Sequence, residues 1–203
     1  MSIKANAVPA QIHREPLYNY DDLDDSTKED VRQYVRTHWF DYDWHEFVIE
    51  DSKECAKLIG IDIDNVWYSG FWSQGDGACF EGEYAYRKGA AKAIRDHAPL
   101  DTELHRIADE LQKLQRAHFY GLSARVSHSG FYSHEYCTRI SVFDRDDDAD
   151  VDTDESLCDL LRDYMRWIYK RLEQEYEWLT ADEQIDNMLR DNEYTFTEEG
   201  EIS

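Results

Sequence analysis

Hydrophobic residues recur at helical spacing along several segments of this chain. From Ser26 to His38 the apolar positions return every three to four residues, and Ser26 with Glu29 has the spacing of a capping box. The same period predicts further helices over residues 44–59, 88–97, 102–119, 155–179 and 180–189. Gly60 is the predicted C-terminal stop of the second helix, and Asp101 is the predicted N-cap of the helix over 102–119.

Between these helices the hydrophobic period changes to two, which is typical of strands with one buried face. The predicted strands cover residues 61–72, 79–87, 122–128 and 134–143, and residues 194–197 are a candidate edge strand. Strands and helices mixed in this order indicate an α+β fold. We expect an antiparallel sheet of four to five strands with helices packed mainly on one face.

The N-terminal residues differ in composition from the rest of the chain. They contain two of the three prolines, Pro9 and Pro16, and end in the acidic stretch from Asp21 to Asp25. This composition predicts an extended acidic N-terminal arm over residues 1–25. A length of 203 residues with 41% hydrophobic content suits one folded unit. Residues 26–203 are therefore predicted to form a single α+β domain.

The chain carries 45 acidic and 22 basic residues, a formal net charge of −23. Much of this charge lies between Asp144 and Ser203, a segment that contains 21 acidic and 6 basic residues. Nucleic-acid affinity depends on Lys and Arg neutralising phosphates, so direct binding to nucleic acid or to an anionic membrane is disfavoured. The charge favours a basic protein or nucleoprotein complex as partner. The oligomeric state stays open.

Several sequence features indicate a cytoplasmic protein. Apolar runs stay well below the roughly 20 residues that span a bilayer, and the N-terminus lacks the apolar centre of a secretory signal. The four cysteines are scattered along the chain without close pairs, which in the cytoplasm favours reduced, buried thiols. We expect neither a disulfide framework nor a zinc site, and no cofactor.

The most acidic segment, from Asp144 to Glu155, resembles a calcium-binding loop in its spacing. Acidic residues occupy the alternate positions of a twelve-residue loop, but Ala149 stands where such a loop needs glycine, and a strand precedes it. A solvated acidic loop, or one whose carboxylates imitate phosphates toward a basic partner, is favoured over a calcium site. Its candidate partner-binding residues are Asp144, Asp146, Asp147, Asp148, Asp150, Asp152, Asp154 and Glu155.

The segment from Trp67 to Gly82 is the least generic part of the chain. Gly75 and Gly77 flank Asp76 between two predicted strands, a pattern typical of a tight hairpin with positive backbone dihedrals. The segment lacks the GK[ST] ending of a phosphate-binding loop and the spacing of a dinucleotide fingerprint. Its candidate partner-binding residues are Trp72, Gln74 and Asp76.

Candidate catalytic signatures are weak. His134 and Cys137 are close in sequence, but zinc requires three or four converging ligands and the sequence offers no second close pair. The serines lack a nucleophile elbow, and at this acid density a pair of carboxylates is uninformative. We therefore expect a protein that is not an enzyme.

The string SGFWSQGDGACFEG, followed by a helix that contains ELHRIADELQKLQRAHFY, resembles a family of phage and prophage proteins. That family is often labelled as antitoxins of toxin-antitoxin stability systems, and the resemblance covers about residues 60 to 200. It implies a phage protein or a bacterial cytosolic protein that binds another protein. It carries no catalytic residues over to this chain.

Charge and resemblance together lead to three functional hypotheses. The first is a phage-encoded acidic protein that inhibits a host nucleic-acid-handling defence complex by blocking a basic surface, as an anti-CRISPR protein or DNA mimic does. The second is an antitoxin that neutralises a basic toxin by similar occlusion. The third is an enzyme whose site lies near the loop at residues 72–76.

Overall fold

A computed structural model of the chain describes residues 16–39, 43–144 and 155–203. In chain order, its elements are β1 (Tyr18–Asn19), α1 (Asp25–His38), α2 (Glu46–Ile59), β2 (Ile61–Tyr68), β3 (Ala78–Ala85), α3 (Ala90–His97), α4 (Thr102–Ala117), β4 (Ser123–His128), β5 (Thr138–Phe143), α5 (Glu155–Thr180), α6 (Asp182–Asp191) and β6 (Thr195–Phe196). The elements belong to two compact units, Met1–Asp41 with Trp178–Ser203 and Tyr42–Glu177.

The larger unit, Tyr42–Glu177, is built on an antiparallel sheet in the order β2-β3-β4-β5. Each strand pairs with its neighbour in sequence, so the sheet is a meander with a bulge in β2 between Ile63 and Asn65. Along β4 and β5, buried side chains such as Val126 and Val142 alternate with exposed ones such as Arg125 and Arg139. One face of the sheet is thus covered and the other bears polar side chains.

Helices α2, α3, α4 and α5 cover the buried face. Their apolar residues belong to the same core cluster as the inward residues of the strands, with Ile107 and Leu161 fully buried alongside Phe80. Asp101 caps α4 by accepting the Leu104 N–H at 2.9 Å, and Gly60 ends α2 with a φ of +92°. The predicted α+β fold, with a four-stranded antiparallel sheet and helices on one face, is confirmed.

The smaller unit, Met1–Asp41 with Trp178–Ser203, combines an N-terminal and a C-terminal segment of the chain. β6 pairs with β1 in a separate two-stranded sheet, so residues 194–197 do not extend the larger sheet. Arg32 binds Asp186 through two hydrogen bonds of 2.7 and 2.8 Å, and this guanidinium holds the pKa of the Asp186 carboxyl below its usual value. Tyr20 also donates to Asp186 at 2.5 Å. This unit therefore rests on a partly buried charged network beside its apolar core.

Residues near the N-terminus differ from the expected arm. Tyr18–Asn19 form β1, and residues 20–22 form a turn of 3-10 helix with a buried Tyr20. α1 is capped by Asp24, which accepts the Thr27 N–H at 2.9 Å, and not by Ser26. Residues 1–15 lie outside the described ranges. Residues 26–203 include parts of both compact units.

Candidate protein-binding surface

The loop between β2 and β3, residues 69–77, contains the distinctive glycine-rich string and is here called the Trp72 loop. At its base, the Ser69 N–H donates to the Gly77 carbonyl at 3.0 Å, and the Gly77 N–H donates to Ser69 Oγ at 3.1 Å. Asp76 Oδ2 accepts hydrogen bonds from the N–H groups of Trp72 at 3.0 Å and Ser73 at 2.6 Å. The Asp76 side chain therefore shapes the loop from within.

The two glycines beside Asp76 serve different purposes. Gly75 has a φ of +94°, as a turn glycine is expected to have. Gly77 permits a close approach, because a Cβ there would lie 3.1 Å from both the Ser133 carbonyl oxygen and His134 Cδ2. The Trp72 loop thereby lies directly against the loop between β4 and β5. A connection of nine residues replaces the tight hairpin that the sequence predicted.

Adjacent aromatic residues of the Trp72 loop differ in burial. The Phe71 ring packs against Tyr176 at 5.1 Å and Tyr169 at 5.6 Å between ring centroids, and Tyr169 donates to the Gly70 carbonyl at 3.0 Å. The Trp72 ring touches only the edge of this cluster, with its centroid 5.3 Å from Tyr176, and 74% of the residue is exposed. Phe71 fixes the loop to α5, and Trp72 is presented to solvent.

The loop between β4 and β5, residues 129–137, adds further exposed rings beside the Trp72 loop. The exposed fractions are 100% for Phe131, 69% for Tyr132 and 67% for Tyr136. His128 Nε2 donates to the Tyr132 carbonyl at 3.0 Å, and the Arg162 guanidinium lies 5.2 Å from the centre of the Tyr136 ring. We call Trp72, Phe131, Tyr132 and Tyr136 the aromatic end of the sheet.

Acidic residues lie near both loops. Burial raises the pKa of the Tyr169 hydroxyl first, and the charges of Glu173 and Asp76 raise that pKa further. Glu135, by contrast, is buried and bound to Arg166 Nη1 at 3.1 Å, so its charge is matched within the fold. Glu173 and Asp76 therefore both place negative charge near the Tyr169 hydroxyl.

The sequence-predicted site residues fall at both ends of the sheet. Trp72 and Gln74 are exposed on the Trp72 loop. Asp144 follows β5 at the opposite end, where its Oδ2 lies 3.5 Å from His118 Nδ1, and Glu155 is exposed at the start of α5. The remaining predicted acids lie outside the described residues: Asp146, Asp147, Asp148, Asp150, Asp152 and Asp154.

The register of the sheet gives the separation between these two groups. Tyr68 pairs with Ala78 at the base of the Trp72 loop, while Ala85 pairs with Ser123 at the far end, and Ser123 also pairs with Phe143. The eight residues of β3 join these two ends. At about 3.4 Å per residue, roughly 24 Å separates them. Trp72 and Asp144 thus do not form one compact site.

Sequence reasoning missed Phe131, Tyr132 and Tyr136. Their signal was an aromatic run next to a serine-glycine turn between two strands, where a solvent-exposed loop was already expected. His134 and the cysteines were also considered for chemistry. His134 Nδ1 accepts the Tyr136 N–H at 3.3 Å, and the cysteines of the described ranges are free thiols, with Cys137 half-buried and the other three buried.

Comparison with known proteins gives a family but no activity. Neither a curated protein nor a solved structure matched the chain. Within the described ranges, no helix combines the length and apolar character needed to cross a membrane. One family profile matches residues 44–182, which is more than half of the chain and includes the whole four-stranded sheet. The protein belongs to the family described as Domain of unknown function (DUF8835).

Proposed function

We propose that this protein binds a basic, nucleic-acid-binding surface of another protein and blocks it, with Trp72 as the anchor of the complex. The observation that carries the proposal is the exposed Trp72 ring on a loop that Asp76 and Phe71 hold in place. Trp and Tyr are enriched among the residues that contribute most to protein–protein binding. A rigid loop loses little conformational entropy when its tryptophan enters a partner's pocket.

The surroundings of Trp72 favour a cationic partner. The net charge of −23 draws a basic surface toward the protein and repels nucleic acid. Tryptophan is also the best ring for stacking under an arginine guanidinium. The aromatic end, flanked by Glu173 and Asp76, therefore suits a groove whose arginines and lysines normally bind phosphates.

The phage resemblance suggests the biological setting of this binding. In that setting the partner is a nucleic-acid-handling defence complex of the host, such as a CRISPR effector, and the protein acts in the host cytoplasm. A basic toxin neutralised by an antitoxin is the alternative partner. Occlusion by an acidic, aromatic surface needs no chemical reaction, and the hydrogen bonds of Asp76 account for that residue without a catalytic role.

Affinity capture followed by displacement tests the proposal. Tagged wild-type protein, Trp72→Ala and Phe119→Ala are used to capture partners from a bacterium that carries a CRISPR system. Phe119 is the matched control, since it is 88% exposed and lies just before β4, at the end of the sheet opposite Trp72. We expect wild type and Phe119→Ala to capture the same nucleic-acid-binding protein and Trp72→Ala to lose it.

The captured partner is then purified and its binding to labelled nucleic acid is measured while the acidic protein is added. The proposal predicts that wild type displaces the nucleic acid. A partner that keeps its nucleic acid within the complex contradicts the occlusion mechanism. Recovery of one small toxin whose activity is restored on dissociation assigns the antitoxin function instead.

A further inference from the structure

A cleft of about 430 Å³ in the larger unit is lined by three side chains that could bind a metal. Two of them are one helical turn apart, and the third is distant in sequence. Asp51, Cys55 and His97 line it, and each offers a ligand atom of a different kind: a carboxylate oxygen, a thiol sulfur and an imidazole nitrogen. These three atoms all lie within 4.8 Å of one another. The cleft lies apart from the aromatic end, since none of the aromatic-end residues lines it.

The helices explain why these atoms converge. Asp51 and Cys55 are four residues apart on α2, so their side chains lie on the same face of that helix. His97 is the last residue of α3, whose buried Ile94 belongs to the same apolar core as Cys55. Packing of α3 against α2 thus carries the imidazole to the Asp51–Cys55 face, where His97 Nε2 lies 3.9 Å from Asp51 Oδ1.

We propose that Asp51, Cys55 and His97 form a binding site for Zn²⁺. Thiolate, imidazole and carboxylate together are ligands that Zn²⁺ accepts, whereas Mg²⁺ and Ca²⁺ prefer oxygen alone. A tetrahedral zinc ion with bonds of about 2.0–2.3 Å holds its ligand atoms about 3.3–3.8 Å apart. Side-chain rotations that shorten the separations by about 1 Å complete this geometry.

A neighbouring network orients the carboxylate. Arg171 Nη2 lies 3.3 Å from Asp51 Oδ2, which leaves Oδ1 facing His97. The Arg171 guanidinium rests over the Trp167 ring at 5.6 Å, and Trp167 Nε1 donates to Asp101 Oδ2 at 2.8 Å. Carboxylate ligands held by a hydrogen-bond donor on their second oxygen are a recurring feature of metal sites.

All three proposed ligand residues line the cleft. Protein supplies three ligand atoms, and the wall beyond them is formed by Pro99, Leu100 and Leu104. A site with three protein ligands and one open position takes a water molecule or a small ligand as its fourth partner.

A nucleophilic role for Cys55 fits the site less well than a ligand role. The Cys55 residue is 2% exposed, and burial, followed by the negative charge of Asp51, raises the pKa of its thiol to about 12. Reactive cysteines instead lie in electropositive, partly exposed surroundings that lower the thiol pKa. A zinc ion supplies the positive charge that favours the thiolate and displaces its proton.

Titration with Co²⁺ and Zn²⁺ tests the site in the full chain. Co²⁺ replaces Zn²⁺ and gives a thiolate-to-metal charge-transfer band only when a cysteine sulfur is a ligand. We expect one equivalent of Co²⁺ to produce this band, Zn²⁺ to remove it by displacement, and Zn²⁺ to raise the melting temperature. Weak binding to the many surface carboxylates produces no such band.

Variants locate the ligands. Cys55→Ala is expected to abolish the band, while Cys79→Ala, which removes a second buried thiol, keeps it. His97 is exposed, so we expect His97→Gln to fold and to weaken Zn²⁺ binding by more than the roughly 10- to 100-fold that loss of an outer hydrogen-bond partner costs. His38→Gln in the smaller unit serves as its control. Absence of the band in wild type, its survival in Cys55→Ala, or unchanged Zn²⁺ affinity in His97→Gln would overturn the proposal.

Discussion

The two ends of the four-stranded sheet both expose aromatic side chains, Trp72 at one end and Phe119 at the other, and the contacts around these two residues differ. At the aromatic end, Asp76 hydrogen bonds, the Phe71 contacts and the close approach at Gly77 fix the Trp72 loop. At the opposite end, Phe119 has a φ of +51° and is 88% exposed, and the nearby chain leads into the acidic residues after Asp144.

In the proposed function, this difference separates two contributions to partner binding. The Trp72 ring would contribute affinity, because its loop is held in place and its burial costs little entropy. The acidic residues from Asp144 onward would contribute mainly to the rate of association through long-range attraction. A loss of affinity and a loss of association rate should therefore follow from mutations at opposite ends of the sheet.

The largest effect is expected from Trp72→Ala. Removal of the exposed anchor is predicted to cost about 2–4 kcal/mol of partner binding, and the change appears mainly in the dissociation rate. The free energy of unfolding should change by less than about 0.5 kcal/mol, because the side chain is on the surface. Surface plasmon resonance and urea unfolding measure the two quantities. Equal loss of affinity in Phe119→Ala would contradict the claim that the two ends of the sheet differ in their contribution to affinity.

A smaller effect is expected from Asp76→Ala. The substitution removes the acceptor of the Trp72 and Ser73 N–H groups, and we expect the loop to lose order at a cost of about 1 kcal/mol in binding. Hydrogen exchange at these two amides reports the loss of order directly.

Asp76→Asn is the matched control for this prediction. It keeps an oxygen acceptor and removes the charge, so affinity close to wild type indicates that the hydrogen bonds matter. If Asn behaves like Ala, the charge of Asp76 acts on the partner or on a reaction, and the structural role assigned to it is wrong.

The smallest effect on affinity is expected from charge reversal in the acidic segment. Changing Asp146, Asp147, Asp148 and Asp150 to Lys adds two charges at each of four positions and moves the net charge from −23 to −15. We expect a slower association rate, by about threefold at low salt, and a weaker dependence of that rate on ionic strength. Stopped-flow association over a salt series measures both. Complete loss of binding in a folded variant would show that this segment, and not Trp72, is the anchor of the complex.

Much of the fold could be predicted from periodicity. The apolar residues of α4 recur at helical spacing, and those of β4 and β5 alternate with polar residues. In each element the structure buries these apolar positions. Pairing of the two chain ends could not be predicted, because β1 and β6 have two residues each and leave almost no periodic signal. The register between distant short strands depends on packing that a local pattern does not contain.

The candidate sites differ in the same way. Trp72 could be identified because its loop is unusual in sequence, and the structural role of Asp76 follows from a local turn. The cluster of Asp51, Cys55 and His97 could not be identified from the sequence. His97 belongs to another helix, and only the packing of α3 against α2 brings it near the other two residues. A search for close ligand pairs finds His134 and Cys137 instead, which are near in sequence but are not brought together with a third ligand in the described ranges.

Site-specific photo-crosslinking tests the central claim most directly. A photoreactive aromatic residue is placed at position 72 in one variant and at position 119 in another, and each is irradiated in complex with the captured partner. We predict efficient crosslinks from position 72 to residues of the partner's basic nucleic-acid-binding groove, and little crosslinking from position 119. Crosslinks from position 119 alone, or from position 72 to a surface outside that groove, would contradict the account.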